Sequence, residues 1–300
     1  MTNEMTSTTM ASIINAEAIL EARLAFQQNV NLVSEVRVGD LTGLATKVAS
    51  FPVFTAASVS KTAEGTDQTT NTTCDPADVA LTVARRVVKI LPTDLGMAAS
   101  QENMSARLGQ VIGQARAKQV DTDILAVMTT TWTSSVGTTN STDLTVANIL
   151  SALLILEGNE TNQNLILALH PKQWNHLRGD IVLVSQASTT WQDRGTDNSA
   201  QGQSVLSTGM LTVPLFGSRV LVTPRVSTGT DTNAMYLGML GWFSEGIGYA
   251  VKNVNAEMGI PEIELQRDAS LAATEFVHNY YDSCGVIRAS ALVLVKSQTY

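Results

Sequence analysis

Charge is scarce in this sequence of 300 residues: Asp, Glu, Lys and Arg together make up 15%, and the balance is acidic, −8 at pH 7. So few cations cannot neutralise a long run of phosphates, which argues against a protein that grips nucleic acid through its charge. Enclosing nucleic acid without gripping it stays open. Aromatic residues are 5%, and Trp132, Trp174, Trp191 and Trp242 are scattered rather than gathered into the stacking platform that single-stranded nucleic acid needs. Cys74 and Cys284 are the only cysteines, too few for a disulfide framework or a thiolate zinc site. The richest apolar run, 149–156, is interrupted by Ser151 and far too short to cross a bilayer. The opening MTNEMTSTTM has an acid and no Lys or Arg before Arg23, which does not fit a secretory leader and points to a cytosolic origin.

Catalytic patterns are missing as well. No GxSxG, HExxH, paired CxxC, P-loop or GxGxxG after a strand occurs. The histidines are His170, His176 and His278. The first two are six apart, off the spacing that would place both on one helical turn, so capping or surface packing explains them better than metal binding. Glu64 has no nucleophile or acid in a recognisable pattern with it. A chain this long without site chemistry favours a structural role.

What is present is a long helix. Residues 100–128 contain no proline, and Met104, Leu108, Val111, Ile112 and Ala115, then Val120, Ile124, Val127 and Met128, recur at three- and four-residue spacing. At 1.5 Å per residue it would run roughly 40 Å, with Ser100 as N-cap. Gly109 and Gly113 weaken it locally and would let another backbone come close.

The second informative stretch is 51–90. FPVFTAASVSK and DVALTVARRVVKI read as strands around TAEGTDQTTNTTCDP, a tip of turn formers almost empty of large apolar side chains. An isolated hairpin is marginal in water, so this ribbon needs a surface. Two arrangements fit: a neighbouring copy, or the hairpin's own domain. Arg85, Arg86 and Lys89 are the densest basic cluster, either a solvated strand edge or a partner for acids on the next subunit.

Elsewhere the pattern predicts a mobile polar start over 1–13, a short helix at 15–28, and an extended arm with a short strand at 29–50. Further on it predicts a helix at 144–156, a buried strand at 164–169, a short helix from Pro171 closed by Gly179, and a loop at 186–209. Strands are expected at 211–213 and 219–223, then within the glycine-rich 234–251. Alternating PEIELQRD and a two-sided apolar run in GVIRASALVLVK complete the strands, which are expected to pack back on the first helix.

Taken in order, FPVF, AEGTD, DVALTVARRVVKI, LPTD and the long helix, then NLILALHPKQWNHL, PLFGSRVLVTP and EIELQRDASLAATEFVHNYYDSCGVIRASALVLV, resemble the major capsid protein of tailed bacteriophages, the Hong Kong ninety-seven-like fold. The likeness runs from Ala49 to Lys296 and rests on order and spacing rather than on one motif. It implies an α+β phage-capsid fold. Residues 1–50 would be the N-terminal arm and 51–90 the extended β-hairpin loop lying across the adjacent subunit. Residues 91–140 with 260–300 would be the peripheral domain carrying the long spine helix, and 141–259 the axial domain.

The resemblance implies no catalytic, cofactor-binding or metal residues. Lys61, Glu64, Asp67, Arg85, Arg86 and Lys89 become candidates for inter-subunit contact. The implied partner is the chain itself, as hexamers and pentamers in a shell. A separate scaffolding protein, a portal and a cement protein are expected, around DNA that is enclosed without sequence-specific binding, with no membrane involved. The expected location is the virion, after assembly in the host cytoplasm. A nanocompartment shell of encapsulin type shares the fold, and a soluble α/β enzyme using His170 or His176 is the reading from another class.

Overall fold

The computed structural model describes residues 7–29, 32–54, 61, 63–65, 76–99, 104–129, 132–137, 143–161, 163–187, 215–229 and 235–298; at 7–15 and 182–187 only the backbone is described. The chain starts with helix α1 (Ser7–Asn29), strand β1 (Arg37–Asp40) and strand β2 (Val48–Phe54). Strands β3 (Pro76–Thr82) and β4 (Ala84–Ile90) follow, then helices α2 (Asp94–Ala99) and α3 (Met104–Leu125). The middle holds β5 (Ser135–Val136), α4 (Val146–Gly158), β6 (Ile166–Leu169) and α5 (Pro171–Ala187). Next come β7 (Arg219–Val222), β8 (Thr228–Gly229) and β9 (Met235–Gly241), with a one-turn α6 (Phe243–Gly246). The last elements are β10 (Ile247–Lys252), α7 (Val254–Met258), β11 (Ile263–Asp268), β12 (Ala273–Val286) and β13 (Leu292–Gln298).

Strand β12 is the axis of the first sheet. Its first half pairs antiparallel with β11 and its second half with β10, while Phe276–Asp282 pairs with β4. A strand has two edges, so β10 and β11 share one and β4 takes the other. Strand β1 adds in parallel beyond β10. The faces differ sharply in size. Tyr249, Val251, Cys284 and Val286 point into a core shared with α3. On the opposite face, one residue out of phase, lie Gly39, Gly248, Ala250 and Gly285.

The second sheet runs β5-β13-β9-β6-β7, with β8 beside β9. Its central strands β6, β9 and β13 are buried on both faces, and the faces alternate as the pleat demands. Ile166, Ala168, Met235, Leu237, Met239, Leu292 and Leu294 face α3. Leu167, Leu169, Leu240, Val293 and Val295 face α4 and α5, where Leu153, Leu156, Trp174 and Leu177 cover them. The pairing does not break where the expected ranges 141–259 and 260–300 meet. Strand β10 lies in the first sheet, and β13 lies in the second, between β5 and β9.

The long helix occupies Met104–Leu125, with its expected cap, Ser100, outside the described residues. Of the expected stripe, Ile112, Val120, Ile124 and Met128 are buried, but in the first half of the helix the buried face is turned by one residue, to Ser105, Gly109 and Gly113, and Val111 is exposed. The cause is α1. It is longer than the predicted 15–28 and lays Ala18, Ala22 and Ala25 along the small-residue stripe of α3. A Cβ on Gly109 would lie 2.3 Å from the Ala18 carbonyl oxygen, and one on Gly113 would lie 2.2 Å from that of Ala22. The two backbones are in contact, and only glycine permits it. Ile263 of β11 and Phe276 of β12 close this cluster, so the last strands do pack against α1.

Two further differences have local causes. Helix α5 starts at Pro171 as expected but continues through Gly179, because Trp174, Leu177 and Ile181 keep one apolar face going and Gly179 sits where nothing crowds it. The strand expected to return in one piece over 78–90 is two strands. At Val83 the backbone N–H still reaches Lys47 of the hairpin, and at Ala84 pairing passes to Asp282 of β12.

Candidate assembly surface

The hairpin is built from β2 and β3, paired antiparallel from Val48 with Thr82 to Phe54 with Pro76. Its base lies on its own subunit. Ala49 and Phe51 are buried against Leu41, Ala250 and Ile287, with Leu81, Val53 and Val79 around them. Burying Phe51 alone is worth about 2–3 kcal/mol, enough to make the base of a marginal hairpin stable without a neighbour. Of the two arrangements left open by the sequence, the base follows the second. The outer side is different: Phe54 is 66% exposed at the far end of β2. Lys61 and Glu64 are exposed. Asp67 lies outside the described residues.

The basic cluster on β4 separates into three environments. Arg86 is half-buried and bridges two acids at 2.7 Å, Asp282 of β12 and Asp123 of α3. Burial works against its charge, but those two carboxylates more than offset it and raise its pKa. Asp282 is 2% exposed and accepts a hydrogen bond from the Tyr249 hydroxyl at 3.2 Å. Burial pushes the Asp282 carboxyl up despite Arg86. The same burial, with Asp123 and Asp282 nearby, pushes the Cys284 thiol up to about 12. Arg86 therefore ties the sheet to the long helix inside one subunit. Lys89 pairs with Glu275 at 2.6 Å and Arg85 donates to Asn279 at 2.8 Å, both on the exposed side of β4. Among the described residues no strand pairs with the outer edge of β4.

Each histidine has a structural setting. His170 caps α5 by accepting the Lys172 backbone N–H at 3.2 Å and stacks on Tyr236. His176 lies 3.3 Å from Asp143. His278 is 3% exposed and its Nδ1 sits 2.9 Å from the Glu262 carbonyl oxygen; burial and the nearby Arg116 lower its pKa.

Two ionic contacts that the sequence did not signal fasten α1. Arg23 forks onto Glu262 at 2.9 and 3.1 Å. Burial would raise the Glu262 carboxyl, but the Arg23 hydrogen bond and charge, with Arg116 and His278 behind them, bring it below its ordinary value. At the far end Asp121, 1% exposed, accepts the Leu32 backbone N–H at 3.2 Å and pairs with Arg225, which also donates to the Asn29 carbonyl oxygen at 3.1 Å. Partners 239 and 89 residues apart in the chain leave no local trace. Exposed apolar side chains remain on the outer faces of helices, Leu20 and Leu24 on α1 and Leu150 and Leu154 on α4, each pair one helical turn apart.

The long helix α3, two sheets that share its core and a hairpin seated on the first of them make up the frame of this fold. The chain belongs to the phage capsid protein family, whose model matches residues 101–294. No curated protein matches it. Among solved structures, the capsid of Ralstonia phage GP4 aligns over 91% of this chain and 92% of that chain at 9% identity, with a TM-score of 0.63. The acidic stable capsid of Helicobacter pylori bacteriophage KHP30 aligns over 91% of both chains at 12% identity and a TM-score of 0.63. A chain of Mycobacterium phage Che8 aligns over 90% of both at 17% identity and 0.59. At such identities the structural likeness is one of fold, and the α+β phage-capsid fold expected from the sequence is the one observed. The family is structural, and its copies assemble into a capsid.

Proposed function

We propose that this chain is the major capsid protein of a tailed phage and that it closes an icosahedral shell of hexamers and pentamers around double-stranded DNA. The family match over 101–294 carries this reading, and it favours a capsid over a nanocompartment shell or a soluble enzyme. In the proposal the work is done by many repeated interfaces, each of the permanent kind that buries more than about 2,000 Å², and no catalytic step is involved. The first sheet with α1 and α3 takes the peripheral role. The second sheet with α4 and α5 takes the axial one, and β2–β3 with its tip is the loop that reaches an adjacent copy. Lys61, Glu64, Asp67, Arg85 and Lys89 remain candidates for that contact, whereas Arg86 is engaged within its own subunit. A separate scaffolding protein, a portal and a cement protein are proposed partners, and the host cytoplasm the place of assembly. Acidity supports enclosure without binding, since a net charge of −8 repels the DNA backbone.

The test is to purify the full chain and measure its mass by sizing and negative-stain microscopy, with and without a co-expressed scaffold. Megadalton particles, or hexamers and pentamers, are expected. A stable monomer at high concentration in both preparations would overturn the proposal.

A further inference from the structure

The floor under the hairpin is unusual. Gly248 of β10 and Gly285 of β12 are direct partners across the ladder, so two neighbouring strands lack side chains at the same level. Glycine inside a strand weakens it, and a cross-strand pair of them is costly unless something needs the space. Leu81 of β3 fills it over Gly285, and shares the space over Gly248 with Ile287, whose Cδ1 would lie 3.0 Å from a Cβ there. A Cβ on Gly285 would lie 2.6 Å from Leu81 Cδ2, and one on Gly248 would lie 3.1 Å from Leu81 Cδ1. A second notch lies on the same face, where a Cβ on Gly39 would lie 2.9 Å from Phe51 Cζ. Leu81 sits directly across the hairpin from Ala49, two residues before Val83, where the strand leaves the ribbon for the sheet. Both strands of the ribbon are thus keyed into the sheet by one large side chain each.

We propose that Leu81, seated in the notch between Gly248 and Gly285, is a positioning residue that sets the direction in which the hairpin leaves the subunit, and through it whether neighbouring copies can close a shell. The second half rests on the capsid reading. A knob in a notch selects one seating, whereas a smooth floor of side chains would let the ribbon slide. The contact lies at the pivot, so a small shift there is multiplied along the ribbon toward its tip.

The test uses the full chain with Gly285→Ala, Leu81→Ala and the two combined. Gly285 does not have the left-handed backbone that excludes alanine, so the added methyl pushes the flexible end of Leu81, not strand β12. Gly285→Ala is expected to keep the subunit folded, to speed amide exchange in β2–β3 but not in β12, and to cut the yield of closed particles about tenfold. The combined variant should recover part of both losses, because the new methyl then occupies the room that the leucine gave up. Unchanged exchange in β2–β3 with normal particles from Gly285→Ala, or strictly additive effects in the combined variant, would overturn the proposal. Should a variant fail to fold, Leu81→Val loosens the knob without crowding and is read in the same way. If the wild type itself forms no particles, the capsid reading fails, and the exchange measurement still decides whether the notch holds the ribbon.

Discussion

Gly109 of α3 lies against the Ala18 carbonyl of α1 so closely that any side chain would overlap it, a Cβ falling 2.3 Å from the oxygen. The obstacle is backbone, which cannot swing aside as a side-chain tip can. Alanine would raise the helix propensity of α3 by roughly 1 kcal/mol and still lose, because separating the helices exposes Ala18, Ala22 and Ile112. Gly109→Ala is expected to destabilise the subunit by about 1–3 kcal/mol, the usual range for overpacking, read from urea unfolding. Gly179→Ala, where nothing lies near, should be neutral or stabilising.

The Asp121–Arg225 pair predicts a larger effect. Asp121 is almost fully buried and holds the chain where α1 hands over to the first sheet. Asp121→Ala leaves Arg225 without its acid and the Leu32 N–H without its acceptor. A loss of about 3–5 kcal/mol is expected in denaturant unfolding, as for other broken buried pairs.

The β4 cations separate by the same measurement. Arg86→Ala strands Asp282 in the core and should cost about 2–3 kcal/mol, less than a fully buried pair because the arginine is one-third exposed. Arg85→Ala and Lys89→Ala should change subunit stability by under about 1 kcal/mol. If either lowers particle yield while the isolated subunit melts normally, its role lies between copies.

A pH dependence follows from His278. Its folded pKa is lowered, by burial first and then by Arg116. The unfolded chain therefore takes up the proton first as pH falls. The stability linked to neutral His278 is complete above the ordinary histidine value near 6.5 and declines as pH falls through it toward the lowered folded value. Facing groups are Arg116 of α3, Arg23 of α1 and Glu262 at the start of β11, so a protonated ring would stand beside two cations and one acid. The melting temperature should drop between pH 7 and 5, and His278→Gln should flatten that drop; an equal slope in both would count against it.

Deleting 62–75 tests the ribbon's tip. The base of the hairpin carries its own buried contacts, so the shortened subunit should melt within a few degrees of the wild type. Closed shells should be lost, which electron microscopy would report directly.

The elements were readable where periodicity was strong. Helix α4 and strand β6 fall within two residues of their expected bounds, and the two-sided apolar run of β13 correctly implied a covered strand. The close approach allowed by Gly109 and Gly113 was foreseen, but not the helix that makes it, because Ala18 and Ala22 look like ordinary helix formers until a second small-residue stripe is set against them. The expected face of α3 holds at Ile112, Val120, Ile124 and Met128 and fails in the first half of the helix for the same reason: a stripe of Gly, Ala and Ser carries no hydrophobic signal. The split at Val83 was invisible, since one unbroken β-rich run serves two sheets. Of the candidate contact residues, Arg86 shows the limit most clearly. A basic strand residue looks the same in sequence whether its acid sits on the next copy or on β12 of its own chain.

Strand β13 lies between β5 and β9, with Leu294 in register with Ser135 on one side and Met239 on the other. A growing chain therefore carries an unfilled slot in its second sheet from the time β5 and β9 are made until residue 298 emerges. Translation of the stretch from Gly241, where β9 ends, to Gln298 takes on the order of five seconds. Until that last strand emerges, β9 has no partner on the side that β13 will take, so the second sheet closes only after nearly the whole chain has been synthesised.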